Sequence, residues 1–218
     1  MKIGSAGVAN AVVAASLDAR VLPAVAPRTA RAFEVARPPA AASRPAPAPA
    51  RTPPTSFEAR VHDVAARLRV APRDLMAVMR FESGMRPDAI NPTTHAVGLI
   101  QFLPSTAADL LGMPHTPGRE ARAVAAFAAM TADEQLDYVE AYLDRVLGGR
   151  GAASLRDAYM AVLFPSAVGH EDGFVLGSAD SDSAFGRAVY RQNAGLDANG
   201  DGVITAGEAS AAVARVRG

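Results

Sequence analysis

Four positions constrain this chain most: Leu75, Val78, Met79 and Glu82. They share one stripe of a 3.6-residue helix, and Glu82 is its one polar member. Pro72 stands where the first turn of such a helix accepts a proline, and Gly84 follows as a stop. The pattern predicts a helix to about Ser83 that carries a carboxyl group on its inward face. Desolvation disfavours an ionised carboxylate and raises its pKa. A Glu held this way suits a general acid near neutral pH. The plain alternative is a structural acid paired with Arg80 or Arg86, and periodicity alone leaves both open.

The remaining signals are also helical. Ser56 reads as an N-cap for a helix on Phe57, Val61, Val64 and Leu68. A punctuated loop covers residues 85–104, with Pro87, Asn91-Pro92, Gly98 and Pro104. A short helix follows Ser105, and an Ala-rich one runs from about Arg119 to Ala129. Thr131 with Glu134 forms a capping box before a helix on Leu136, Val139, Leu143 and Val146. Ser154 with Asp157 resembles that device, ahead of a helix on Leu155, Val162 and Leu163. Residues 166–182 read as a surface loop, and Phe185, Ala188 and Val189 mark one more short helix. No segment alternates as a strand does. The expected fold is mainly α, with little or no sheet.

Residues 1–55 differ from the rest. Seven of the sixteen prolines lie between Pro38 and Pro54, which predicts an extended linker. This stretch has seven basic and two acidic residues, so it carries +5 and the remainder −5, for a net charge of +0. The expected organisation is a disordered arm over 1–55, a helical domain over 56–180 and a smaller C-terminal segment over 181–218. The mildly acidic folded part argues against nucleic acid as its partner. There are no cysteines, which excludes disulfides and thiolate metal sites. No apolar run reaches the roughly 20 residues of a membrane span. Lys2 and the short apolar stretch Ala11–Ala15 give only weak signal-peptide character.

The C-terminal segment holds a second informative stretch. Asp197, Asn199, Asp201 and Thr205 occupy positions 1, 3, 5 and 9 of a twelve-residue EF-hand loop pattern, and Glu208 occupies position 12. Gly202 stands at the sharp turn of position 6, and Val203 would offer its carbonyl. A hard cation needs several oxygens converging on one point, so the stretch predicts a structural calcium ion. A polar turn capped by Thr205 and Glu208 accounts for those two residues, but not for Asp197, Asn199, Asp201 and Gly202 together.

Around Glu82 the motifs become recognisable. Glu82-Ser83-Gly84, followed by Gly98-Leu99-Ile100-Gln101-Phe102-Leu103-Pro104, resembles the lytic transglycosylase family related to goose-type lysozyme. The resemblance covers roughly residues 56–175. The family's third motif, A-Y-N-A-G, is altered: Ala158-Tyr159-Met160-Ala161-Val162 puts Met160 where the family has Asn. A shifted register would leave Tyr159 as ordinary core.

The resemblance implies a lysozyme-like fold and cleavage of peptidoglycan between N-acetylmuramic acid and N-acetylglucosamine. Glu82 would be the single acid and base, and a 1,6-anhydro sugar the product. Ser83 would hydrogen-bond near the carboxyl, and Gly98, Gln101 and Tyr159 would line the sugar groove. No catalytic cofactor is implied. Two alternatives remain: a hydrolytic lysozyme, or a catalytically weak wall-binding component of a virion or secretion apparatus. Each requires export to the periplasm, release outside the cell or carriage on a virion. Asp88 and Asp109 are the other carboxylates considered, with solvated roles. His62, His95, His115 and His170 lack metal-ligand spacing.

Overall fold

The computed structural model describes residues 56–217. The expectations for the arm, linker and export signal over 1–55 lie outside the described residues. Eight α-helices and one two-stranded sheet make up the described part. α1 (Phe57–Leu68) and α2 (Pro72–Ser83) come first, then α3 (Pro104–Leu110), α4 (Pro117–Ala128), α5 (Ala132–Leu147) and α6 (Leu155–Leu163). After α6 come β1 (Val175–Ser178), α7 (Ala184–Asn193), β2 (Val203–Thr205) and α8 (Ala206–Ala214). The fold is mainly helical, as the periodicity predicts. No helix of the described residues is long and apolar enough to cross a membrane.

The caps explain where the helices begin. Ser56 Oγ accepts from Ala59 N at 3.2 Å. Thr131 and Glu134 form both halves of a capping box. Ser154 completes only its own half, accepting from Asp157 N. The shorter Asp157 side chain instead accepts from Gly169 N at 3.1 Å and ties down the turn after α6. α4 starts two residues before the expected Arg119, because Thr116 caps it and Pro117 sits in its first turn.

The largest departure from the sequence reading is β1, inside the stretch expected to be a loop. It pairs antiparallel with β2, and the register shifts between Val175 and Gly177. Gly177 lets the strand lie directly on α7: a Cβ there would fall 2.8 Å from the Gly186 carbonyl and the Tyr190 amide. The four residues of β1 are too few to show alternation, and Gly177 sits in the middle. One hydrophobic cluster runs through the whole described chain, from Val61 and Leu75 to Ile204, Ala209 and Val213. Residues 181–217 thus share their core with the helices before them. α8 packs on α6 and α2, and α1 packs on α5.

Candidate active site at the end of α2

α2 ends at Gly84, whose φ of +63° and N–H, donating a hydrogen bond to the Arg80 carbonyl, close the helix. Leu75, Val78 and Met79 are buried, and Glu82 is only 3% exposed. Neither carboxyl oxygen of Glu82 has a hydrogen-bond partner. Burial alone pushes this carboxyl well above the usual carboxylate range, which favours its neutral form. The structural-acid alternative loses its partners. Arg80 donates to the Val216 carbonyl at 3.0 Å, and Arg86 pairs with Asp88 in solvent.

Two tyrosines stand close enough to Glu82 to be coupled to it. Tyr159 on α6 is fully buried, and its hydroxyl has no partner. Burial pushes that phenol well up, and the Glu82 charge adds to the effect. Its ring meets Phe81 edge-on at 5.5 Å. Tyr142 on α5 is pushed up to about 12, first by burial, with Arg145 lowering it and Glu82 raising it. Its hydroxyl donates to the Ala161 carbonyl at 3.2 Å. The sequence reading did not single out Tyr142. Its signal is its place beside Leu143, on the inward edge of α5.

The second motif forms an ordered loop over α2. Short bridges join Ile90 to Val97 and Val97 to Phe102, and Asn91 Oδ1 accepts from the amides of Thr93 and Thr94. Gln101 takes a left-handed φ of +55°. Its Nε2 donates to the carbonyls of Ala89 and Gly98, so the amide stabilises the turn. The same residue lines a small pocket with Ile100, Leu103, Thr106, Tyr142 and Val162.

Two of the expected site residues, Ser83 and Gly98, make their visible contacts inside the protein. Ser83 does not bond the Glu82 carboxyl; its Oγ lies 3.0 Å from the carbonyls of Met79 and Leu99 and joins α2 to the loop. A serine near a helix end readily bonds the carbonyl four residues back, which turns its hydroxyl away from its neighbour. Gly98, with a φ of +84°, makes room for Gln135: a Cβ there would sit 2.4 Å from Gln135 Oε1. Gln135 is fully buried and fully used. Its Oε1 accepts from Leu99 N at 2.9 Å, and its Nε2 donates to the Pro87 and Phe127 carbonyls at 2.7 Å each. It is a clamp that sequence reasoning missed, because one polar residue beside an apolar stripe looks solvated. Asp88 and Asp109 are solvated, and Asp109 pairs with His115 at 2.7 Å.

The stretch 197–208 follows α7 and runs through β2 into the first turn of α8, with one turn of 3-10 helix at 194–196 leading in. Asp197 accepts from Gly200 N, Gly202 N and the Tyr190 hydroxyl. Desolvation opposes these bonds, but Tyr190 and the two amides prevail and hold Asp197 below the usual carboxylate range. Asn199 Oδ1 accepts from Asp201 N, and Asp201 Oδ1 from Val203 N. Gly202 has a φ of +80°, and Ile204 is fully buried. Glu208 closes a capping box with Thr205 and also accepts from Ala198 N across the loop. The donors are all oxygens, the type a hard cation takes. Among the described residues, no three His, Cys, Asp or Glu side chains stand together as a ready-made metal cluster. The loop carboxylates are instead engaged with backbone amides and with the side chains of Tyr190, Asn199 and Thr205.

Residues 61–145 match the family model described as the Transglycosylase SLT domain. The match includes both motifs around Glu82 and Gln101, and ends before Tyr159 and the 197–208 loop. It supports a glycan-cleaving, lytic transglycosylase type of activity on peptidoglycan, and hence action outside the cytoplasm. No curated protein and no solved structure matches the chain.

Proposed function

We propose that this chain is a peptidoglycan lytic transglycosylase with Glu82 as its single acid and base. One observation carries the reading: a carboxyl group at a helix end that is buried, pushed by desolvation toward its neutral form and unpaired with any cation. Such a group holds a proton ready for transfer. Glu82 donates it to the oxygen joining N-acetylmuramic acid to N-acetylglucosamine. The C1–O bond breaks, and its electron pair stays with the departing oxygen. The muramic 6-hydroxyl then attacks the electron-poor C1, and the Glu82 carboxylate takes the proton that this hydroxyl loses. The product is a 1,6-anhydro sugar, and Glu82 is restored. No water enters, so no second carboxylate is needed to activate one.

Tyr159 belongs to this site in our reading, as a buried dipole beside Glu82 that shapes the carboxyl's surroundings. Gln101 and Tyr142 line a small pocket, and in our reading a sugar of the glycan strand contacts that face. Digestion of purified peptidoglycan decides the chemistry. Products lighter by one water are expected. Reducing ends would replace transglycosylation with hydrolysis, and intact strands would leave a wall-binding role on a virion or secretion apparatus.

We also propose that the 197–208 loop holds a structural calcium ion. Side-chain oxygens of Asp197, Asn199, Asp201, Thr205 and Glu208 and the Val203 carbonyl are its donors. The support is the all-oxygen donor set, the glycine at the turn and the helices on both sides. When bound, the ion would fasten α7 to α8; it has no part in bond cleavage.

A further inference from the structure

The segment after α8 returns to the helix that carries Glu82 and touches it near both ends. Asp74 lies in the first turn of α2 and is 5% exposed. Its carboxylate forms an ion pair with Arg217. Arg73 approaches the same carboxylate only to 3.9 Å, from an exposed position. In the last turn, Arg80 Nη1 donates to the Val216 carbonyl at 3.0 Å and reaches the Arg217 carbonyl at 3.4 Å. Asp74 and Arg80 are six residues apart, or about 9 Å along a helix. Residues 216–217 therefore bridge the helix two residues short of Glu82.

This contact is more than surface decoration. Asp74 is buried, so its charge needs a cation, and Arg217 is the nearest one. Asp74 Oδ1 and Arg217 Nε have no aligned hydrogen bond, so charge rather than bond direction holds the pair. α8 itself packs on α2 and α6, the helices of Glu82 and Tyr159. Its first turn is the Thr205–Glu208 capping box of the 197–208 loop. The loop, α8 and the latch thus form one continuous piece that ends on α2.

We propose that residues 216–217 are a latch, with Asp74 and Arg217 as positioning residues, through which the α7–loop–α8 unit fixes the helix that carries Glu82. The consequence for cleavage rests on the Glu82 reading above; the mechanical claim does not.

The test compares the full chain with its Arg217→Ala, Arg217→Lys and Arg80→Ala variants well below their melting temperatures. Hydrogen exchange should quicken about tenfold at the α2 amides 76–83 in Arg217→Ala, with α5 amides unchanged, as local opening requires. Arg217→Lys keeps the charge and should recover most of that protection. Arg80→Ala leaves the buried pair intact and should loosen only the last turn of α2; it also serves if Arg217→Ala fails to fold. On purified peptidoglycan, kcat of Arg217→Ala should fall about tenfold with KM within about twofold, because only the acid's position changes. Unchanged α2 exchange in Arg217→Ala overturns the latch, and so does exchange that quickens equally in α1, α2 and α5. A wild-type chain that cleaves no glycan overturns the Glu82 reading, while the exchange data still decide the latch.

Discussion

The Glu82 carboxyl and the carboxylates of the 197–208 loop are the same chemical group in opposite surroundings. Glu82 is buried and accepts no hydrogen bond. Asp197 is partly exposed and accepts from two amides and a tyrosine. Desolvation without compensation pushes the first up, and donors converging on the second hold it down. A buried polar group left unpaired costs stability, so a fold that keeps one is keeping it for something outside the resting chain. A loop whose oxygens are already gathered by amides is ordered before any ion arrives. The first arrangement leaves its carboxyl unengaged, and the second ties its carboxylates into a frame.

Removing the proton donor breaks the comparison most sharply. Glu82→Gln keeps the shape and loses the acid, so wall cleavage should fall by about 10²–10⁴. The folded state should survive, since a neutral amide fills the same space. Turbidity clearing of purified walls and a melting curve together check both halves. Cleavage at the wild-type rate would remove Glu82 from the chemistry.

Gln135 sharpens the contrast from within the domain. It is as buried as Glu82, but every polar atom of its amide is bonded. Gln135→Leu would strand the Leu99 amide and the Pro87 carbonyl, while the Phe127 carbonyl keeps its bond from the Met130 amide. At about 1–3 kcal/mol per stranded group, the loss should reach several kcal/mol, read by urea unfolding. Gly98→Ala attacks the same clamp from the other side, and shortening Gln135 in the same chain should recover part of that loss.

These residues also show what a sequence can reveal. The stripe Leu75, Val78, Met79 and Glu82 is local, and the helix forms where its period places it. Gly84 and the Thr131–Glu134 box are local too, and both act as their chemistry requires. The motif spacing around Glu82 and Gln101 was legible because the loop needs particular residues at fixed positions, such as Gln101 at its left-handed turn. The β1–β2 pairing was not, because four residues with a central glycine carry no period. Gln135 and the Asp74–Arg217 pair were hidden for another reason. Each partner looks solvated alone, and only the tertiary fold brings Gln135 to Leu99 or Arg217 to Asp74. Ser83 and Gly98 sat in the right motif, yet their visible contacts serve the loop rather than an open groove.

The loop offers the next smaller effect. If it takes calcium, free ion at a hundred times its Kd stabilises the chain by about 2.7 kcal/mol. For a domain of this size that is a rise in Tm of about 5–10 °C. Asp197→Ala should lose the rise, while Glu82→Gln should keep it. A flat melting temperature across a calcium titration of the wild-type chain defeats the proposal. Because α8 continues into the segment bridging α2, calcium should also slow exchange of α2 amides in the wild-type chain.

The smallest effect separates the two carboxyl environments by the sign of their pH dependence, without added ion. The folded-state pKa of Glu82 lies above its ordinary value of 4.5, so the folded chain keeps a proton that the unfolded chain has released. Its contribution is complete below that ordinary value and is lost as pH rises through the folded-state value. Glu82→Gln removes the titration, so its Tm advantage over the wild-type chain should grow as pH rises. Tyr142 and Tyr159 face this region, but burial pushes both phenols up, so they stay neutral over that range. Asp197 behaves oppositely. Its folded-state pKa lies below its ordinary value of 3.8, so its contribution is present above that value and lost as pH falls through the lower one. The Tm deficit of Asp197→Asn should therefore be widest near neutrality and should close toward acid. Two difference curves of opposite slope are expected, with the shallower one belonging to the partly exposed Asp197. Parallel curves would mean that the two carboxyl groups share one kind of environment, and that Glu82 is not held as an acid.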